Sequence, residues 1–262
     1  MLPHDDNANT ASNVILGTTW LLLSDGNRVV ALSTELIESG STADDIHRGN
    51  EVPANILADF ELGSQYGKIT LVDFVFSHRH ALILFETGSH ASVISLTKFQ
   101  RDDILNPKFP DSKSFAQSQS GRYFSLLTRS NGQDYVSIFA PSDDTLDQAV
   151  TFNPKTLDAQ GMRWSPSGQP LLVVWDSATY GFKLSFFTAL GHHLRQLDLT
   201  SPPIDLQAAS PFDDDLGVTK LDWLQRRGRT FLAVACGQTR ALIYEQQSQA
   251  TVSREVSFRS SC

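Results

Sequence analysis

The feature that most constrains this chain is a turn-and-strand unit that recurs along it. "MRWSPSGQPLLVV" (162–174) and "SFAQSQSGRYFSLL" (114–127) share one plan: a small polar turn, a glycine, a polar residue, then an apolar strand. Gly168 and Gly121 take the same place, which sets Trp164 opposite Gln117. "VDFVFSHRHALILF" (72–85) repeats the plan with Phe76 at the Trp position and no glycine. "KLDWLQRRGRTFLAV" (220–234) repeats it with Trp223 and one extra residue before Gly228. These four positions are 41, 47 and 59 residues apart. The first two intervals fit the ~40–45 residues of a four-stranded propeller blade. The third interval carries an insertion, "SPPIDLQAASPFDDD" (201–215), whose Pro and Asp content marks a surface loop.

Each unit continues into a second alternating strand: "ASVISL" (91–96), "DYVSIF" (134–139), "FKLSFF" (182–187) and "RALIYE" (240–245). In the third of these, Phe182, Leu184 and Phe186 share one face, the period-2 signature of a strand. "SNGQ" (130–133) and "CGQT" (236–239) read as hairpin turns in which glycine supplies positive φ. A weaker copy comes first, "WLLLSDGNRVVAL" (20–32), with an Asp25-Gly26 hairpin signal and a polar insertion after it at 37–55. The pattern predicts an all-β chain with units near 14–63, 68–107, 111–152, 158–199 and 216–258. It also predicts a disordered N-terminus over 1–13 and a single β-propeller domain over 14–262. One four-stranded sheet cannot bury both its faces alone, so such sheets stack, and Trp164 and Trp223 are expected between them. An ordinary β-sandwich is the alternative architecture. Abundant Phe (16) and scarce Met (2) suit sheets better than helical bundles.

The net charge of −8 argues against a general nucleic-acid binder, which needs a basic face. The tight basic cluster Arg226, Arg227 and Arg229 reads as a solvated turn. Cys236 and Cys262 form neither a disulfide framework nor a zinc pattern, and no Asn-x-Ser/Thr acceptor occurs. No apolar run approaches the ~18 residues of a membrane span. The expectation is an intracellular, reducing compartment.

The ordered segments "SGRYFSLLTR", "DYVSIF", "GMRWSPSG…LLVVWDS…YGFKL" and "LGVTKLDW…FLAVACG…RALIYE" carry a specific resemblance over roughly residues 68–245. They resemble the WD-repeat family that anchors microtubule minus ends at the spindle pole. In fungi this is the WD-repeat member of the MWP complex; in animals, a centrosomal and centriolar-satellite WD-repeat protein. The resemblance implies a WD-repeat-type β-propeller of about five recognisable blades, an incomplete ring included among the outcomes, because the family continues beyond the fifth unit. It implies no catalysis and no cofactor, a coiled-coil microtubule-anchoring partner and, in fungi, a minus-end-directed kinesin. Location in the cytoplasm and cytoskeleton, at the spindle pole body or centrosome, follows from it. Partners are expected to be proteins, with no nucleic acid, membrane or small-molecule substrate. The Trp-Asp dipeptide that usually closes a repeat is absent from the four strand ends quoted above; the one copy, Trp175-Asp176, lies inside a unit.

Little in the sequence points to chemistry. His78, His80 and His90 are the densest histidine cluster, without a carboxylate at ligand spacing, and read as a solvated turn. No nucleophile elbow, P-loop or dinucleotide fingerprint occurs. A propeller hydrolase would place carboxylates or histidines at matched inner-strand positions; those positions hold Asp73, Ser114, Gly161 and Lys220 or their neighbours. No catalytic or metal-binding residue is therefore assigned. The candidate partner contacts are two regions read as loop-borne: Trp175, Asp176 and Tyr180 in one unit, and Phe212 with Asp213, Asp214 and Asp215 in the long insertion. Phe212 is the sharpest candidate, as an aromatic anchor in a polar loop. A generic WD-repeat scaffold unrelated to the spindle remains the competing class.

Overall fold

The computed structural model describes residues 13–16, 20–33, 56–77, 79–141, 146–177, 183–198, 218–236, 240–248 and 251–259. These form twenty strands in five four-stranded antiparallel sheets, each a meander of consecutive strands. The first sheet comprises β1 (Asn13–Leu16), β2 (Trp20–Asp25), β3 (Arg28–Ser33) and β4 (Ile56–Glu61). The second comprises β5 (Ile69–Val75), β6 (His80–Phe85), β7 (His90–Ser95) and β8 (Arg101–Leu105). The third holds β9 (Phe115–Gln117), β10 (Phe124–Ser130), β11 (Gln133–Pro141) and β12 (Leu146–Phe152). The fourth holds β13 (Ala159–Trp164), β14 (Leu171–Asp176), β15 (Lys183–Thr188) and β16 (His193–Asp198). The fifth holds β17 (Val218–Arg226), β18 (Arg229–Cys236), β19 (Arg240–Ser248) and β20 (Thr251–Arg259). Five blade-like meanders agree with the expected fold class, and the alternating segments of the sequence are the third strands.

The chain divides into two compact units, Met1–Asn106 with the first two sheets and Pro107–Cys262 with the other three. In the first unit, Leu22 and Val29 of the first sheet pack with Phe74 and Ile83 of the second. In the second unit, Leu127 and Val136 of the third sheet pack with Met162, Trp164 and Leu172 of the fourth. The opposite face of the fourth sheet, Val173, Trp175 and Leu184, packs with Leu221, Trp223 and Leu232 of the fifth. Trp164 and Trp223 thus stand between neighbouring sheets, where the sequence places them. The sandwiching explains the strand patterns. β6, β7 and β14 are buried at every position because both faces meet protein, whereas β8, β12 and β16 alternate partial and full exposure as outer edges.

The repeated turn has a shared hydrogen-bond scheme. Ser118 N donates to Tyr123 O at 2.9 Å and Ser118 Oγ accepts from Tyr123 N at 2.9 Å. Ser165 N donates to Leu171 O at 2.7 Å and Ser165 Oγ accepts from Leu171 N at 2.8 Å. The second turn closes one residue later because Pro170 has no N–H to offer. The fourth copy differs: Arg227 (φ 51°) and Gly228 (φ 74°) form a two-residue turn with positive φ at both positions, so Gly228 is not the counterpart of Gly121 and Gly168. The Arg cluster there is a solvated turn, as expected, with Arg226, Arg227 and Arg229 all exposed.

The histidines need correcting. His80 and His90 begin β6 and β7 and are 8% and 5% exposed, not solvated; His78 lies outside the described residues. Burial pushes the His80 imidazole below its ordinary value, against Asp102 and with Arg79. Burial does the same to His90, against Asp103 and with Arg101. The His90 ring stands edge-on to Tyr66 at 3.7 Å and near Phe85 at 5.1 Å, so the strand alternation carried it inward as an aromatic.

Candidate functional site

The first strands of the three sheets in the second unit, β9, β13 and β17, converge on a cavity of about 390 Å³. That volume lies at the small end of the range that ligand pockets span, ~300–1,000 Å³. Gln117, Trp164 and Trp223 line it, the three residues that the repeat sets at one position. The residues one step earlier, Ala116, Arg163 and Asp222, line it too. The repeat therefore delivers two residues per first strand to one concave surface; these positions align in the sequence but were assigned no site from it, and that alignment is the signal that could have found it.

The indoles form part of the wall and part of the core. Trp164 Nε1 donates to Ser125 Oγ at 3.1 Å, across to the third sheet, and its ring stacks on Tyr123 at 5.8 Å. Ser125 is paired with Ala116, and the residue in the equivalent place of the fourth sheet is Val173, paired with Arg163. Trp223, only 9% exposed, belongs to the same apolar cluster as that valine, and its enclosed Nε1 meets no acceptor among the described residues. An orphaned buried donor is costly, by about 1–3 kcal/mol.

The polar members of the wall are underused. Arg163 donates from Nη1 to Met162 O at 3.0 Å, and a guanidinium has five N–H groups. Asp222 Oδ1 accepts from Trp223 N at 2.8 Å. Neither side chain makes an ion pair among the described residues. Gln117 and Gln119 add two amide side chains to the lining.

Elsewhere in the unit, charge is used for construction. Lys108, 4% exposed at its side chain, donates to Asp134 Oδ2 at 2.9 Å, Asp158 Oδ1 at 2.8 Å and Ala159 O at 2.7 Å. It ties the β10–β11 hairpin to the start of β13. Partial burial pushes the Asp158 carboxyl up, but the hydrogen bond and charge of Lys108, then those of Arg129, outweigh it and hold the group below the ordinary carboxylate range. The sequence reading missed this clamp because its partners lie 26, 50 and 51 residues from Lys108.

The candidate contacts from the sequence fall into two groups. Trp175 and Asp176 are not loop-borne: they end β14 and are 8% and 5% exposed. Trp175 pairs with Gly161 across the sheet, and a Cβ at that glycine would collide with its ring. Asp176 accepts from Leu157 N at 2.9 Å and Asp158 N at 2.7 Å, capping the loop into β13. Enclosed in this way, the Trp-Asp dipeptide serves the fold. Tyr180, Phe212, Asp213, Asp214 and Asp215 lie outside the described residues. Among the described residues, no three His, Cys, Asp or Glu side chains come together as metal ligands, and no helix is long and apolar enough to cross a membrane.

Four-stranded meanders packed face to face within each unit, with the first strands of the second unit converging on a cleft, define the class: the fold is that of a β-propeller. A solved structure, KlHsv2 with loop 6CD replaced by a Gly-Ser linker, matches 94% of this chain and 71% of that one, with a TM-score of 0.51 at 12% identity. In sequence the chain is similar to the mouse WD repeat-containing protein WRAP73, 34% identical over 99 residues. That match takes in 38% of this chain and spans about a fifth (21%) of the relative's length. No protein-family model matches the chain.

Proposed function

We propose that this chain is a non-catalytic adaptor of the microtubule-anchoring machinery at the spindle pole body or centrosome. It binds a coiled-coil anchoring protein and, in a fungal setting, a minus-end-directed kinesin. The observation that carries the reading is the ordered resemblance of four segments to the minus-end-anchoring WD-repeat family; the WRAP73 likeness supports its WD-repeat part. The fold suits the role. Stacked sheets hold their connecting turns in fixed positions, so a docking surface is preformed and the ordering cost of binding stays low. The 201–215 insertion, with Phe212 as aromatic anchor and Asp213, Asp214 and Asp215 beside it, is the proposed loop contact, and Tyr180 a secondary one.

The test is the tagged chain imaged in mitotic cells, with Phe212→Ala alongside and recovered partners identified. Concentration at the poles with a coiled-coil protein bound is the expected result. Diffuse signal with no such partner would overturn the adaptor reading. Partners recovered without polar signal would favour the generic scaffold. Polar signal that survives Phe212→Ala would remove that residue as the anchor.

A further inference from the structure

We propose that the cleft between β9, β13 and β17 docks a short polypeptide segment carrying one acidic and one basic side chain, the acid meeting Arg163 and the base meeting Asp222. This deepens the adaptor reading and rests on its premise that the partner is a protein.

Arg163 and Asp222 stand at the same repeat position on neighbouring first strands, one residue before Trp164 and Trp223, and both line the cavity. They carry opposite charges across about 390 Å³ of open space without pairing to each other or to any other described side chain. Lys108 in the same unit shows the contrast, its charge being taken up by two carboxylates. Arg163 uses one N–H on Met162 O, which leaves a planar fork of donors suited to a carboxylate. Asp222 uses one oxygen on Trp223 N and keeps the other for a cation.

The sign pattern selects the ligand. A purely anionic segment would be drawn by Arg163 and opposed by Asp222, and a purely cationic one the reverse. A segment bearing both charges satisfies both groups, and swapping their order along the segment reverses the match. The amides of Gln117 and Gln119 can meet the segment's own backbone. The indole walls suit the methylene stem of a Lys, Arg or Glu side chain.

The probe is a set of blocked octapeptides in a Gly/Ser background, each with one Glu and one Lys at varied separation and in either order. Controls carry two Lys, two Glu or neither. The readout is the nitrogen-15 indole spectrum, with the Trp164 and Trp223 signals assigned through their Phe variants. A mixed-charge peptide is expected to shift both signals saturably. Arg163→Gln and Asp222→Asn, each with an unchanged unfolding midpoint, are expected to weaken binding about fivefold, as for a partly exposed charge pair. The double variant Arg163→Glu with Asp222→Arg is expected to prefer the reversed order. Equal binding of the two-Lys or two-Glu peptides would overturn the two-charge assignment. No shift with any peptide at millimolar concentration, in a protein that still reaches the poles, would overturn the cleft and leave the adaptor intact. Saturable mixed-charge binding by a protein that stays diffuse in mitosis would keep the cleft and remove the pole.

Discussion

At the scale of single residues, the two tryptophans that the repeat aligns are a natural experiment in hydrogen bonding. Both are buried between sheets, and truncating Trp164 to Ala is expected to cost about 3–5 kcal/mol by leaving a cavity. They differ in one acceptor: Trp164 Nε1 has Ser125, whereas Trp223 Nε1 has no partner among the described residues, and Val173, in its cluster, stands where the third sheet has Ser125. Val173→Thr would put a hydroxyl where the third sheet has that of Ser125, with Arg163 O as its own acceptor by analogy with Ser125 to Ala116 O at 3.3 Å. A buried Val→Thr change without a partner is unfavourable by about 1–3 kcal/mol. Here the waiting donor offsets it, and the expected effect is close to neutral. A double-mutant cycle with Trp223→Phe, followed by denaturant unfolding, checks this. Coupling near about 1 kcal/mol supports the pairing, and coupling within error of zero shows that the hydroxyl and indole do not meet.

At the scale of elements, the same repeat explains what the sequence revealed and what it hid. Third strands were legible because large apolar residues alternate with small or polar ones along them, as in "FKLSFF", even where both faces are buried. Among first strands, β13 and β17 were legible by their Trp, and β9 and β13 by the Ser-x-Ser-Gly turn after them. Trp175 misled because a lone aromatic beside an Asp reads as surface, while its burial depends on Gly161, a residue with no side chain to betray the contact. The histidines misled because polarity outweighed register. Least legible was the Lys108 clamp, which joins three segments distant in sequence. Removing the lysine as Lys108→Met takes away the closer cation of the fully enclosed Asp134 and leaves it Arg129 Nη1 at 3.6 Å, and is expected to cost up to about 3–5 kcal/mol. Adding Asp134→Leu is expected to recover much of that loss, since a buried ion pair and an apolar pair of similar volume are often close in stability. Thermal unfolding of the single and double variants reads the difference. A double variant no more stable than the single would mean that the clamp's backbone bonds, such as Ala159 N to Asp134 Oδ2 at 2.7 Å, carry the stabilisation instead.

At the scale of the whole molecule, buried imidazoles belong to the first unit and the Lys108-clamped carboxyl to the second, and acid should act on them in sequence. In Met1–Asn106 the His80 and His90 imidazoles are held below their ordinary value by burial. The fold there favours the neutral ring, so its contribution is complete above the unfolded value of about 6.5 and is lost as pH falls from there toward the folded values. Asp102 and Asp103 oppose this loss and Arg79 and Arg101 add to it, without reversing its direction. In Pro107–Cys262 the Asp158 carboxyl is held below the ordinary carboxylate range, so its contribution persists down to about pH 4 and is lost only as pH drops through the folded value. Hydrogen exchange resolved by segment should therefore show protection falling first along β6 and β7, as pH drops below about 6.5, while β10 and β13 stay protected until about pH 4. His80→Phe with His90→Phe should flatten the earlier phase, and Asp158→Asn should blunt the later one. A wild-type profile along β6 and β7 that falls no earlier than that along β10 and β13 would mean that the imidazoles take a proton without leaving the fold, against the enclosure by Phe76, Tyr66 and Phe85 on which the expectation stands.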